Sequence, residues 1–195
     1  MSETINKTKF LEFKSAKSPS GNDWFYVKRT NDKQGLDSAV VITTLVKIKD
    51  EYNFLLLKTS RPPLTSENKA KYCIESPAGL IADIDKNETL LECTKKELLE
   101  ETGLIASKLF VEFTNAAASS GLSSETLSYV TAIVEDNIEK SIPVSDGGII
   151  VERYFIPISK IRSYFLKLNH QENSIASATV CGIYFALERL KELKM

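Results

Sequence analysis

Three glutamates in one short run have the spacing that metal-dependent chemistry requires. Glu97, Glu100 and Glu101 lie three and four residues apart, so on a helix their carboxylates project to one side. Like charges packed this closely repel one another unless cations neutralise them. Hard divalent cations prefer carboxylate oxygens and commonly join such clusters to substrate phosphates. The competing interpretation is a solvated glutamate-rich face, which is the commoner case for such a cluster alone.

The helix that must carry these glutamates has recognisable ends. Thr89 with Glu92 three residues later forms a possible capping box, and Gly103 is a C-terminal stop signal. Helical signals therefore run from about Glu88 to Gly103. A stripe of side chains at helical spacing is expected to face the core, and its members are Leu91, Thr94, Leu98 and Thr102.

The remaining pattern predicts a mixed α/β chain. Residues 64–71 read as an exposed polar loop after Arg61-Pro62-Pro63, because proline ends a strand. Two helices are expected at about 158–168 and 175–194. Strands with a central helix and a C-terminal helix favour an α/β sandwich over a doubly wound sheet. The predicted strands are 10–13, 24–29, 39–48, 53–58, 72–75, 108–113, 127–134 and 149–156.

Composition excludes several functional classes. The 195 residues carry 25 basic and 26 acidic side chains, so no basic excess exists to hold a nucleic-acid backbone. No apolar run approaches the roughly 20 residues that span a bilayer, and the N-terminus lacks the apolar region of a secretory signal. The three cysteines form no CxxC pair, which favours a reducing, cytoplasmic setting. A single histidine, His170, leaves no material for histidine clusters.

The glutamate run resembles the Nudix family, whose pattern is G-x5-E-x7-R-E-U-x-E-E-x-G-U with U an aliphatic residue. The second half of the pattern is matched in register, and Glu88 has the family's glutamate spacing to position 96. Two departures are visible. Lys96 replaces the family arginine, so a planar fork becomes a point charge. Eight residues instead of five separate Gly79 from Glu88, which indicates a three-residue insertion within 82–87. The matched residues are Glu97, Leu98, Glu100, Glu101, Gly103 and Leu104.

Further stretches are similar to the ADP-sugar pyrophosphatases within that family. They occur in the same order as in that subfamily, and the resemblance extends from about residue 10 to the end. The stretches are residues 24–30, 60–63, 72–81 and 120–123.

The resemblance implies a role for each matched residue. Glu97 and Glu101 would bind metal with the carbonyl of Ala78, and Glu100 would share in metal binding or water activation. Trp24 would stack on the adenine, and Arg29 and Arg61 would contact the phosphates or the terminal ribose. Gly79 and Leu80, at the start of the Nudix pattern, would also contact the substrate. Without the resemblance, Trp24 reads as a core residue and each arginine as a surface cation.

Two functional positions of the subfamily lack a clear match. Some members place a catalytic glutamate in a late loop after an Asp-Gly pair, but here Asp146-Gly147 is followed by Gly148. Either Glu152 or Asp146 substitutes, or the glutamates of the helix activate the water. A second adenine-stacking aromatic is also missing, and Phe10 is the nearest candidate.

The resemblance implies a Nudix α/β/α sandwich with mixed sheets over residues 37–195, preceded by an N-terminal strand segment, 1–36, that builds a homodimer. The implied reaction is hydrolysis of ADP-ribose or a related ADP-sugar to AMP and a sugar phosphate, with Mg²⁺ or Mn²⁺ as cofactor. A small-molecule nucleoside diphosphate sugar is then the partner, with neither nucleic acid nor membrane. The alternatives are a nucleotide-binding or regulatory Nudix module with slow hydrolysis, and a Nudix hydrolase of another nucleoside diphosphate derivative.

Overall fold

A computed structural model describes residues 2–30, 37–135 and 149–194. Its helices are α1 (Pro62–Ser66), α2 (Leu90–Thr102), α3 (Ile161–Lys167) and α4 (Ser177–Glu192), and a short 3-10 helix precedes α3. Its strands are β1 (Ser2–Lys7), β2 (Leu11–Lys17), β3 (Asp23–Arg29), β4 (Ala39–Ile48), β5 (Glu51–Thr59), β6 (Tyr72–Glu75), β7 (Ala78–Leu80), β8 (Lys108–Ala117), β9 (Thr126–Val134), β10 (Ile150–Pro157) and β11 (Asn173–Ile175).

The strands form two sheets. β1, β2 and β3 make a three-stranded antiparallel sheet of their own. The other eight strands form a mixed sheet with the order β11-β6-β5-β4-β9-β8, to which β10 and β7 attach through β5 and β4. The small sheet is tied to the loop before β9, because the backbone of Val27 bonds to Leu122 and Ser124.

The mixed sheet is covered by helices on both faces. On one face α2 packs onto a buried cluster that includes Val40, Leu55 and Leu98. On the other face α3 and α4 pack onto a second cluster that includes Leu45 and Ile183. Successive side chains of a strand point to opposite faces, so each central strand feeds both clusters and is buried along its length. The predicted α/β sandwich is confirmed.

Helix α2 has the predicted ends. Thr89 and Glu92 form the reciprocal capping box, and Gly103 adopts a left-handed conformation with φ of 72°. A residue with a side chain would be strained in that conformation, so glycine ends the helix cleanly. The predicted core face needs one correction, since Leu91 is exposed and Cys93 is buried instead. The first turn packs through Cys93 against β7, where its thiol lies 3.5 Å from the carbonyl oxygen of Leu80.

Several elements differ from the sequence prediction. Residues 62–66 form α1 instead of a loop, because proline at the first helical positions has a backbone already set for a helix. Strand β1 was not predicted, since all six of its residues are exposed and show no alternation. Strand β8 continues to Ala117, past two shifts in its pairing with β9. No helix in the described ranges is long and apolar enough to cross a membrane.

Candidate active site

The side chain of Glu97 lies directly against the backbone of Gly79. Strand β7, which contains Gly79, is held in place by antiparallel pairing with β4. A Cβ atom built on Gly79 would overlap the Cγ and Cδ atoms of Glu97. Only glycine therefore lets this carboxylate fold down onto β7. Gly79, which resembles the glycine of the Nudix pattern, and Glu97 are thus a contacting pair.

Glu101, one helical turn further on, contacts the same strand. Its Oε2 accepts a hydrogen bond of 3.1 Å from the backbone N–H of Ala78. The pKa of the Glu101 carboxyl is raised to about 8, mainly by burial and partly by the charges of Glu97 and Glu75, against the lowering effects of the Ala78 N–H and Arg61. Burial also raises the pKa of Glu97. These carboxyls repel one another and are poorly hydrated, so a cation would stabilise their charged forms.

Lys96 and Glu88 form an ion pair next to Glu97. The ammonium group of Lys96 lies 2.9 Å from Glu88, 3.3 Å from Glu97 and 3.8 Å from Asp83. Glu88 also accepts a hydrogen bond of 2.9 Å from the backbone N–H of Ala82, despite the longer loop. Lys96 therefore bridges several carboxylates as a point charge, where an arginine would grip one with a planar fork.

Each of the two predicted substrate-binding arginines is paired with a glutamate. Both Nε and Nη2 of Arg61 donate to one carboxylate oxygen of Glu75. The Nε of Arg29 lies 2.6 Å from a carboxylate oxygen of Glu125. Neither glutamate was singled out from the sequence. The pairs are 14 and 96 residues apart along the chain, so no local pattern reveals them.

Trp24 is not a core residue. Its side chain is 52% exposed, and its indole N–H donates to the backbone carbonyl of Gly121 at 3.1 Å. Phe10, the candidate for a second stacking ring, is also exposed. The indole is thus fixed at its polar edge while much of its ring remains accessible. That geometry permits stacking by a planar ligand.

The structure does not bring Glu152 to the other glutamates. Its neighbour Arg153 faces α2, where the guanidinium donates to the carbonyl oxygen of Thr102 at 2.6 Å. Glu152 therefore points to the opposite face, where its carboxylate accepts a hydrogen bond of 2.7 Å from the hydroxyl of Tyr154. The sequence-based placement of Glu152 in the catalytic group is therefore not supported by this geometry. The other candidate, Asp146, and Gly148 lie outside the described residues.

The oxygen atoms beside β7 are of the kind that hard cations prefer as ligands. Glu97 and Glu101 supply carboxylate oxygens next to the backbone of Ala78, and the exposed Glu100 lies on the same helix. The carboxylate of Glu97 forms an ion pair with the ammonium group of Lys96. In the described ranges, no three histidine, cysteine or acidic side chains are already grouped around a common point. Glu97, Glu101 and the backbone carbonyl of Ala78 are the groups that would hold such a cation.

Replacing Glu101 by glutamine should stabilise the protein at alkaline pH when divalent cations are removed by a chelator. The pKa of Glu101 is raised from 4.5 to about 8 in the folded state, so its ionisation disfavours folding increasingly as pH rises between these values. The penalty is at most about 1.4 kcal/mol per unit of separation. We expect the melting temperature of Glu101→Gln to exceed that of the wild type at pH 9 and the difference to vanish near pH 4.5. Glu100→Gln, at an exposed neighbouring position, should show no such trend, and a trend equal to that of Glu101→Gln would contradict the assignment.

The chain is similar to known proteins in sequence and in structure. No family model matches the sequence. The chain is 27% identical over 170 residues to "Putative nudix hydrolase 2" of Caenorhabditis elegans, covering 84% of this chain and 73% of that protein.

Two solved structures share the fold. An ADP compounds hydrolase superposes with a TM-score of 0.65 at 18% identity, over 99% of this chain and 93% of that one. The Nudix domain of Shewanella oneidensis NrtR, solved in complex with ADP ribose, superposes with a TM-score of 0.58 at 17% identity, over 81% of this chain and 90% of that one. The chain therefore has the Nudix fold, and its resemblance to the Nudix family is confirmed.

Proposed function

We propose that this protein is a metal-dependent hydrolase that cleaves the diphosphate of ADP-ribose or a related ADP-sugar to give AMP and a sugar phosphate. One observation carries the proposal: two half-buried glutamates, Glu97 and Glu101, are held against the Ala78–Gly79 backbone, and Arg61 is bonded to Glu75 at the start of the same segment. Carboxylates that bind a divalent cation beside a guanidinium that binds phosphate are what a diphosphate substrate requires.

The proposed metal is Mg²⁺ or Mn²⁺, held by Glu97, Glu101 and the carbonyl of Ala78, with help from Glu100. When bound, such a cation offsets the charge of the diphosphate and lowers the pKa of a bound water. Glu97 and Glu101 supply the negative charge that places the cation. The diphosphate would lie along the backbone of Gly79 and Leu80.

The protein's other residues bind, orient and accept a proton. Arg61 and Arg29 offer guanidinium groups to the phosphate oxygens or the terminal ribose. Trp24 offers an exposed ring for the adenine. Water activation is assigned to the α2 glutamates, with Glu100 as the base, because Glu152 lies across the sheet and Glu75 is engaged by Arg61.

The choice of an ADP-sugar rests on the Trp24 and Arg61-Pro62-Pro63 stretches. It is also supported by two proteins with this fold, one an ADP compounds hydrolase and one complexed with ADP ribose. A second candidate is a nucleotide-binding module that hydrolyses slowly. Lys96 in place of arginine and the position of Glu152 favour that alternative. It predicts binding of ADP-ribose without release of AMP.

The wild-type protein should release AMP from ADP-ribose in the presence of Mg²⁺ and not after chelation. A panel of nucleoside diphosphate sugars, read out as nucleoside monophosphate by chromatography, ranks the substrates. Glu101→Gln should lower kcat by about 100-fold or more, because Glu101 would hold the cation that stabilises the transition-state charge, and losing such stabilisation typically has an effect of this size.

A matched variant tests the geometry more finely. Gly79→Ala keeps every carboxylate but adds a Cβ where the Glu97 side chain lies, so it should displace Glu97 and lower turnover while the protein stays folded. Glu112→Gln, which alters an ion pair with Arg189, serves as the control and should retain full activity. Full activity of Glu101→Gln would remove α2 from the mechanism. Calorimetric binding of ADP-ribose without AMP release would select the binding module.

Trp24→Ala should raise KM for an ADP-sugar by about 10-fold with little change in kcat, because stacking of a base on an aromatic ring contributes about 1–3 kcal/mol to binding. Steady-state kinetics separates the two constants. Tyr184→Ala, which removes an exposed ring on α4, is the control. If KM for the Trp24 variant equals that of the control, the stacking role is wrong.

We also propose that the protein is a homodimer built through the small sheet. That sheet exposes large apolar side chains, and the rings of Phe13 and Phe25 stack with their centroids 5.8 Å apart. The strand register places Leu11, Phe13 and Phe25 on one face of this sheet, and an exposed apolar patch of this kind marks an interaction site. The exposed set is Ile5, Phe10, Leu11, Phe13, Trp24 and Phe25.

Light scattering at micromolar concentration should give twice the 21.8 kDa mass of one chain. Phe25→Glu should shift the mass towards one chain, because a charge at a dimer interface would be desolvated. Ser20→Glu adds the same single charge at an exposed polar position in the turn between β2 and β3 and serves as the control. A wild-type mass of one chain would contradict the dimer.

A further inference from the structure

Glu75 lies at a position that the proposed mechanism does not yet use. It is the last residue of β6, immediately before the Ser76-Pro77 step that leads into β7. Strand β6 pairs with β5, and Arg61 follows β5 by two residues. The fold therefore brings Glu75 and Arg61 together at the edge from which the box segment begins.

The pair is buried at its glutamate end and open at its arginine end. The side chain of Glu75 is 13% exposed and that of Arg61 is 42% exposed. A guanidinium has five N–H donors, and Glu75 engages the Nε side and one Nη2 donor. The Nη1 edge is directed away from Glu75 and is left for a second anion. Glu75 thus binds the Nε–Nη2 edge of a partly exposed guanidinium and leaves its Nη1 edge unbound by Glu75.

Glu101 is bound to the same short segment that begins at Glu75. Its carboxylate accepts a hydrogen bond from the backbone N–H of Ala78, three residues after Glu75, and Glu75 holds Arg61 at the start of that segment. A guanidinium that Glu75 did not hold would have Glu101 as the next carboxylate along the segment, and pairing there would occupy oxygens that a cation needs.

We propose that Glu75 is a positioning residue that keeps the guanidinium of Arg61 off Glu101 and directs its outer edge to the substrate's diphosphate. This rests on the proposed function of the site. Glu75 touches neither the substrate nor the cation; it acts through Arg61. Its effect therefore depends on the presence of Arg61.

A purely structural ion pair would behave differently. Such a pair would join β5 to β6, and its loss would lower stability without altering the response to Mg²⁺. A positioning role raises both KM for the nucleotide and the Mg²⁺ concentration needed for half-maximal rate. The two roles are separated by kinetics at fixed temperature together with melting curves.

The experiment is a double-mutant cycle of wild type, Glu75→Gln, Arg61→Ala and the double variant, assayed as AMP release from ADP-ribose over a range of Mg²⁺ concentrations. Glu75→Gln should lower kcat/KM by about 10- to 100-fold and raise the Mg²⁺ requirement, the size typical of losing a group that orients a ligand. In the Arg61→Ala background the same change should cause no further loss, because no guanidinium remains to be misdirected. Glu112→Gln is the control for removing a paired glutamate elsewhere.

Other outcomes overturn the proposal. An equal loss in both backgrounds means that Glu75 acts independently of Arg61, and an unchanged Mg²⁺ requirement with a lower melting temperature means that the pair is structural. If the wild type releases no AMP, the proposed hydrolysis fails. The same four proteins titrated calorimetrically with ADP-ribose and Mn²⁺ then give the cycle in Kd, where an equal loss in both backgrounds or no loss for Glu75→Gln again rejects the positioning role.

Discussion

The close contact between α2 and the short strand β7 is the constraint on which the rest of the site depends. Glu97 rests on Gly79, and Glu101 accepts a hydrogen bond from Ala78. Both contacts place negative charge where it is poorly hydrated, which is unfavourable without a counter-charge. The capping box and Gly103 fix the ends of α2, and pairing with β4 fixes β7, so the scaffold holds these carboxyls near each other.

The two-sided sheet determines which acidic residues can join that site. Arg153 points to the α2 face, and so does Glu75, because its neighbour Ile74 packs on the opposite face. Glu152 is directed towards the side of α3 and α4. One position along a strand therefore separates a residue near the site from one on the far face. Chemical type and distance along the sequence do not distinguish them.

The sequence predicts well what depends on local pattern and poorly what depends on pairing across the fold. The ends of α2 and the bounds of β4 and β6 follow from capping residues and apolar runs, and they agree with the structure. The exposed position of Leu91 and the face of Glu152 depend on which element covers them. The partners of Arg61 and Arg29 are set by strand pairing and by the small sheet, so no motif could indicate Glu75 or Glu125.

The balance of charge around β7 gives a physical reason for a cation. Two cationic side chains beside it are already engaged by carboxylates, Arg61 by Glu75 and Lys96 by Glu88 and Glu97. Glu101 has the backbone N–H of Ala78 as its hydrogen-bond donor, and its carboxyl is left with a raised pKa. A diphosphate brings further negative charge to a surface whose own cations are engaged, so electrostatic repulsion opposes its approach. In the proposed mechanism, a divalent cation held by Glu97 and Glu101 would reverse that balance, and the guanidinium edge of Arg61 that Glu75 does not bind would act with the cation instead of in its place.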